Sequence, residues 1–294
     1  MTGMPLTRRG FAAVTLGGAA AATLAPSAAA TAADQIAALE ARAGGRLGVL
    51  AIDTGSGARI AHRTTERFAM CSTHKVLVGA AILSAVEAGT LRLDDPIPYG
   101  ANDLLEYAPV TRRNLPAGAM TVETLCEAAI RWSDNTADNL LLKRIGGPAG
   151  WTRYARSIGD TVSRLDRYEP ELNSAVPGDP RDTSTPEAMS RALAAMLFGD
   201  ALSDASRTRL KGWMFDSEIT AKLFRAGLPR DWHTADKSGS GDNGSRNNAG
   251  ILYPPRAAPI LLSVFYTGAP TPMAQRDSVI ARCATIVADT FKRA

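Results

Sequence analysis

Ser72, Thr73, His74 and Lys75 open a long apolar stretch, STHKVLVGAAILSAVEAG, ending at Gly89. Apolar residues nearly all round predict a helix buried on most faces. Residues three apart on a helix share a face, so Ser72 and Lys75 point the same way. They do so at the end where backbone N–H groups favour negative charge. A serine hydroxyl is a weak nucleophile until a neighbouring base takes its proton, and an amine held close can do this. Alone, the Ser-x-x-Lys spacing is a weak signal, and Ser72 also reads as a plain helix cap. His74 is not the expected base, because two residues along a helix is about 200° around. With no Gly-x-Ser-x-Gly elbow in the chain, a Ser-His-Asp triad is not expected.

Two further clusters follow in order. Ser133-Asp134-Asn135 supplies a hydroxyl and an amide between two helical patterns, in residue types that also favour caps and turns. Lys237-Ser238-Gly239 lies in a strand pattern, where the glycine allows close approach by a ligand or marks a bulge. A fourth stretch, RYEPELN from Arg167 to Asn173, places Glu169 before a proline and Asn173 four residues on. Acyl transfer to Ser72 leaves an ester; clearing it with water needs a base, and a carboxylate with an amide beside it suits that task. Taken singly, Glu169 reads as an exposed loop acid.

The elements that must hold these groups can be read from pattern. Ala33 to Gly45 has helical spacing and a glycine stop, and Arg46 to Arg63 reads as a hairpin around Asp53-Thr54-Gly55-Ser56-Gly57. Helical patterns fill TVETLCEAAIRWSD, NTADNLLLKRIGG, WTRYARSIGD and TPEAMSRALAAMLFGD, the last with Thr185 as cap and Pro186 at the first position. Between Thr161 and Thr183 the periodicity vanishes, and a loop of that length is often functional. DWHTADKSGSG, NNAGILYPP and PILLSVFYTG read as successive strands, and a helix from Pro272 closes the chain. The expected fold class is α+β: an antiparallel sheet flanked by helices and built from both chain ends, plus an all-α lobe, with the site in the cleft between them. The α/β lobe is expected over about 31–66 and 218–294, and the all-α lobe over about 67–217, as a single catalytic domain of residues 31–294.

Residues 1–30 read separately, as an export signal peptide. Arg8 and Arg9 precede a weakly apolar run that is too short to span a bilayer, and Phe11 behind them points to the twin-arginine route. Its removal lowers the formal net charge of +4 by two, too balanced to argue for nucleic acid or an anionic membrane. No later segment is apolar enough for a membrane anchor. Cys71, Cys126 and Cys283 are an odd number. They leave at least one thiol unpaired and read as small buried apolar residues. His62, His74 and His233 are scattered without zinc-ligand spacing, so neither metal nor cofactor is expected. A monomer is expected, since nothing reads as an extra apolar interface.

Together, the three motifs resemble those of serine β-lactamases and penicillin-binding proteins over essentially the whole mature chain, and the Glu169 loop is most similar to the class A β-lactamases. The resemblance implies that Ser72 attacks the lactam carbonyl, Lys75 tunes its proton directly or through Ser133, and Ser133 passes a proton to the departing nitrogen. It implies that Asn135 binds the substrate's side-chain amide. Lys237 and Ser238 would bind the carboxylate, Arg246 would add charge, and the N–H groups of Ser72 and Ser240 would form an oxyanion hole. Tyr107 would stand at the cleft mouth, Glu169 and Asn173 would hold and activate water, and an Arg167–Asp182 ion pair would pin the loop's neck. Ser238 stands where threonine is often found, and Tyr168 where tryptophan is common. Cys71 matches a position that in some members pairs with a cysteine; Gly241 occupies the partner position, so that disulfide is expected to be absent. The implied activity is hydrolysis of penicillins and cephalosporins, conferring β-lactam resistance. A D-alanyl-D-alanine carboxypeptidase or transpeptidase is the alternative enzyme, and a penicillin-sensing domain the non-enzymatic one; a transpeptidase would not need Glu169, and a sensor should carry a membrane anchor and lack the deacylating acid.

Overall fold

The computed structural model of the chain describes residues 1–2, 30–215 and 217–292. The twin-arginine segment falls on residues 3–29, outside the described residues. From Thr31 onward, α1 (Ala32–Ala43) leads into the hairpin β1 (Arg46–Asp53) and β2 (Arg59–His62), then β3 (Phe68–Ala69). A 3-10 turn, Cys71–His74, runs into α2 (Lys75–Glu87). Next come β4 (Pro96–Pro98), α3 (Pro109–Asn114), β5 (Ala119–Thr121), α4 (Val122–Arg131), α5 (Asn135–Arg144) and α6 (Gly147–Ser157). After an irregular stretch follow β6 (Thr183–Ser184), α7 (Pro186–Leu197), α8 (Asp204–Phe215) and α9 (Phe224–Gly227). Strands β7 (His233–Ser240), β8 (Arg246–Tyr253) and β9 (Ile260–Thr267) precede α10 (Met273–Phe291).

Both chain ends do combine in one antiparallel sheet, in the order β2-β1-β9-β8-β7. The hairpin turn forms because Asp53 Oδ1 accepts the N–H groups of Gly55 and Ser56, the local bonding that favours Asp in turns. Alternation along β9 sends Leu261 and Phe265 to one face, while Ile260, Leu262, Val264 and Tyr266 pack on the other with α1 and α10. The first face joins the core around α2. That helix is buried continuously from Lys75 to Leu83, as an apolar helix without a polar face must be.

Three features differ from expectation. The central lobe is not purely helical, because β3 pairs with β6 and β4 with β5; strands of two or three residues carry too little alternation to be seen. Helix α8 is hidden by its sequence, which buries only Ser206, Leu210, Trp213 and Met214 beneath a charged exterior. Ser72 precedes the α-helix, on the 3-10 turn. Side chains at i and i+3 of such a turn eclipse, which leaves Ser72 and Lys75 on one side.

Candidate active site

Ser72 and Lys75 are held by packing. Cys71, at φ 46°, turns the chain sharply into the 3-10 segment, and Asn247 on β8 ties that turn down by donating to Ala69 O and Met70 O at 2.8 and 3.0 Å. Strand β7 lies against it. A Cβ on Gly239 would stand 2.8 Å from Met70 O and 3.2 Å from Ser72 N. The glycine is therefore required by the backbone of the serine turn as well as lining the cavity.

The reactive side chains converge. Lys75 Nζ lies 3.0 Å from Glu169 Oε1 and donates to Asn135 Oδ1 at 2.6 Å and Ser133 O at 3.0 Å. Ser72 Oγ donates to Glu169 Oε1 at 3.3 Å, and Asn173 Nδ2 donates to Glu169 Oε2. Lys237 Nζ donates to Ser133 Oγ at 2.9 Å. Burial, then the neighbouring Lys75, hold the Lys237 ammonium well below the usual lysine range. Ser133 itself sits at φ 58°, just before Asp134, which caps α5 and accepts from Val110 N, Thr111 N and Thr111 Oγ1.

A cavity of about 360 Å³ opens onto this cluster, lined among others by Ser72, Ser133, Asn135, Ser238 and Ser240. Tyr107 stands exposed at its rim. Ile219 also lines it and carries no sequence signal. Arg246 reaches it, but its Nε donates to Asp277 Oδ1 on α10 and another nitrogen to Ser240 Oγ, each at 2.7 Å. A larger cavity, about 570 Å³, lies between residues 175–181 and Arg46–Ala69. None of the sequence-predicted site residues lines it, so chemistry selects the smaller one.

The Glu169 loop is held by polar clamps. Arg167 Nε donates to Asp182 Oδ2 at 2.5 Å, and Asp182 Oδ1 accepts Asp166 N and Arg167 N at 2.7 and 3.0 Å. Asn139 on α5 brackets Glu169, its Nδ2 donating to the carbonyl at 2.9 Å and its Oδ1 accepting the N–H at 3.0 Å. Sequence reasoning missed Asn139, although it stands four residues past Asn135 on the same helix face. The Glu169–Pro170 peptide is cis.

His74, Asp138 and Glu169 also lie within 4.8 Å of one another, a spacing compatible with a metal ion. The Lys75 ammonium already sits on Glu169, and both His74 ring nitrogens are engaged, by Cys71 O and by Asp138 Oδ2. The arrangement is an ion-pair network. Cys71, Cys126 and Cys283 are free and buried, and burial pushes the Cys283 thiol up to about 12. A Cβ on Gly241 would stand 2.7 Å from Cys71 Sγ, which places the missing partner where the resemblance put it. Among the described residues, no helix is long and apolar enough to cross a membrane.

Comparison with known proteins agrees. Residues 31–291 match the model of the β-lactamase enzyme family. The chain is 45% identical over 253 residues to the β-lactamase AST-1 of Nocardia asteroides, covering 86% of this chain and 81% of that protein. It is 43% identical over 254 residues to the β-lactamase CTX-M-8 of Citrobacter amalonaticus, covering 86% and 87%. A solved class A β-lactamase representing the last common ancestor of Gram-negative bacteria superposes with a TM-score of 0.87 at 51% identity, over 89% of this chain and 100% of that one. The chain belongs to the class A β-lactamase family, whose members are serine hydrolases acting on cyclic amides.

Proposed function

We propose that the enzyme opens penicillins and cephalosporins through an acyl-enzyme on Ser72 and clears it with water activated by Glu169. The Ser72 oxygen adds to the lactam carbonyl while its proton passes into the Lys75–Glu169 pair. The C–N bond breaks as Ser133 delivers its proton to the nitrogen, and the proton taken from Ser72 returns to Ser133 through Lys75, whose Nζ lies 3.4 Å from Ser133 Oγ, so that Glu169 is again a free base. Glu169 then takes a proton from water, the hydroxide adds to the ester, and Ser72 leaves with its proton restored. Backbone N–H groups of Ser72 and Ser240 receive the oxyanion in both steps, a contribution of about 3–4 kcal/mol for such a donor. Lys237, Ser238 and Arg246 take the substrate carboxylate, Asn135 its side-chain amide, and Tyr107 flanks it. The small-molecule substrate needs no cofactor. The enzyme acts as a monomer outside the cytoplasm after twin-arginine export, without nucleic acid or a membrane anchor, and confers β-lactam resistance.

The observation that carries this reading is the buried Glu169 carboxylate, one oxygen 3.3 Å from Ser72 Oγ and the other on Asn173. A transpeptidase passes its ester to an amine and has no use for a base at that point. The test is Glu169→Ala with a penicillin, followed by intact-protein mass spectrometry. The variant should accumulate one acyl adduct that wild type turns over. Turnover by the variant at the wild-type rate would remove Glu169 from the role.

A further inference from the structure

His74 stands between Ser72 and Lys75, fully buried, and the proposed chemistry makes no use of it. Its Nδ1 lies 2.8 Å from Cys71 O. A carbonyl only accepts, so Nδ1 carries the proton and donates. Its Nε2 lies 2.8 Å from Asp138 Oδ2 on α5. The other carboxylate oxygen, Oδ1, is buried and has no hydrogen-bond partner among the described residues. His74 is thus the hydrogen-bond partner given to the Asp138 carboxyl, and a buried carboxylate needs one. Trp151 Nε1 donates to the His74 carbonyl at 3.1 Å and anchors the backbone beneath the ring.

The Cys71 carbonyl and the Ser72 N–H belong to one peptide unit, which is planar and trans. Fixing the oxygen fixes the N–H, which points the opposite way. Cys71 holds a left-handed backbone, a sparsely populated state that persists only where its surroundings enforce it. We propose that the buried His74–Asp138 pair locks the Cys71–Ser72 peptide so that the Ser72 N–H faces the oxygen of the tetrahedral intermediate, which makes His74 a positioning residue for the oxyanion donor. Burial alone would drive the ring neutral; the Asp138 carboxylate, with Glu169 beyond it, more than offsets this and raises its proton affinity. A charged ring polarises the Cys71 carbonyl and with it the N–H on the far side of the same peptide.

This inference rests on the reading of Ser72 as the acylated nucleophile, and the test separates the two. Because His74→Ala alone would strand the Asp138 carboxylate, two double variants are compared: His74→Ala/Asp138→Asn and His74→Asn/Asp138→Asn. They differ in that an Asn at 74 keeps an amide N–H where Nδ1 stood. Enzyme is counted by active-site titration with a slowly hydrolysed penicillin. Acylation and deacylation rates are then measured with a penicillin, and affinity with phenylboronic acid, whose tetrahedral adduct on a serine presents an oxygen to the oxyanion donors. The alanine pair should slow both steps by similar factors, about tenfold to a hundredfold each, and weaken the boronate by a similar factor. The asparagine pair should recover most of each loss. Equal rates and equal boronate affinity in wild type and the alanine pair would overturn the proposal. So would a loss confined to deacylation, which would place the effect on Glu169, or equal losses in the two pairs, which would reduce His74 to packing. If wild type itself formed no adduct on Ser72, the underlying reading would be the one to fall.

Discussion

Ser72 and Lys75 stand on a 3-10 turn and the first residue of α2, gripped by β7, β8 and the core. Glu169 stands on the stretch from Thr161 to Asp182, where a three-residue 3-10 turn at Glu171–Asn173 is the regular structure among the described residues. The first arm is positioned chiefly by packing against the sheet and core, with Asn247 and His74 bonding its turn. The second is positioned by a few directional bonds, from Asp182, Asn139 and Asn173. The chemistry assigned to each arm differs in the same way. A nucleophile must be in place for every substrate, whereas the loop must leave room beside Ser72 for a water and an acyl group. Deleting the Ser72 hydroxyl from the first arm should therefore remove chemistry and leave stability alone. Changes in the second should remove both, and act on deacylation first.

The widest effect is expected in the first arm. Ser72→Ala deletes the proposed nucleophile while its neighbours keep their partners. Turnover should fall by at least about a thousandfold and no adduct should appear by mass spectrometry, while unfolding free energy stays within about 1 kcal/mol of wild type. A large loss of stability would break the comparison at its root. Next comes the loop neck. Asp182 is fully buried and holds Arg167 together with two backbone N–H groups. Breaking one partner of a buried pair costs about 3–5 kcal/mol. Arg167 keeps some solvent, so Asp182→Ala should sit at the low end by denaturant titration. Stopped-flow rates should show deacylation slowed far more than acylation.

Lys237 sharpens the contrast through pH. Burial and Lys75 depress its affinity for a proton, so it becomes neutral at a pH below the ordinary lysine range. The charge-assisted bond proposed between it and a substrate carboxylate would then be lost, and kcat/KM should fall about tenfold to a hundredfold on the alkaline side. The linkage sign is opposite for stability. The unfolded chain holds the proton more tightly than the folded one, so this residue's contribution to stability rises with pH over the same interval. An alkaline limb that vanishes in Lys237→Met would assign it; a limb that persists would move the titration elsewhere.

Asn139→Ala is a smaller lesion. It strands the N–H and C=O of Glu169, at about 1–3 kcal/mol for unsatisfied buried groups, and should slow deacylation about tenfold without changing acylation. This residue also marks what the sequence could not convey. Ser72, Lys75, Ser133, Lys237 and Glu169 could be singled out because short motifs carry them and those motifs together resemble one family, and the structure brings them together. The sheet was legible because β1, β8 and β9 are long and apolar. Asn139, Asp138 and Asp277 act across 30 or more residues of chain, on Glu169, His74 and Arg246. In a one-dimensional reading each is an ordinary polar residue on a helix. Gly239 was legible as a point of close approach, but the backbone that approaches belongs to Met70–Ser72, far away in the chain. Helix α8 escaped because its buried stripe is one residue wide at most levels and begins with a serine.

The smallest expected effect is the most useful control. Arg164 pairs with Asp166 at 2.5 Å, in the same loop, and stands three residues before Arg167 of the Arg167–Asp182 pair. By distance the two pairs look alike. By exposure they do not: the Arg164 side chain is 43% exposed and its partner 21%, against 21% and 1% for Arg167 and Asp182. Exposed pairs contribute about 0–1 kcal/mol because water competes for both charges. Asp166 also keeps a second bond in the absence of Arg164, since its Oδ2 accepts Asp182 N at 3.1 Å. Arg164→Ala should therefore change stability by less than about 1 kcal/mol and leave both acylation and deacylation at wild-type rates. If it instead slowed deacylation as Asp182→Ala does, any charge on the loop would matter equally. The loop would then be held by its summed field, and the contrast between a packed arm and an arm of discrete buried clamps would fail.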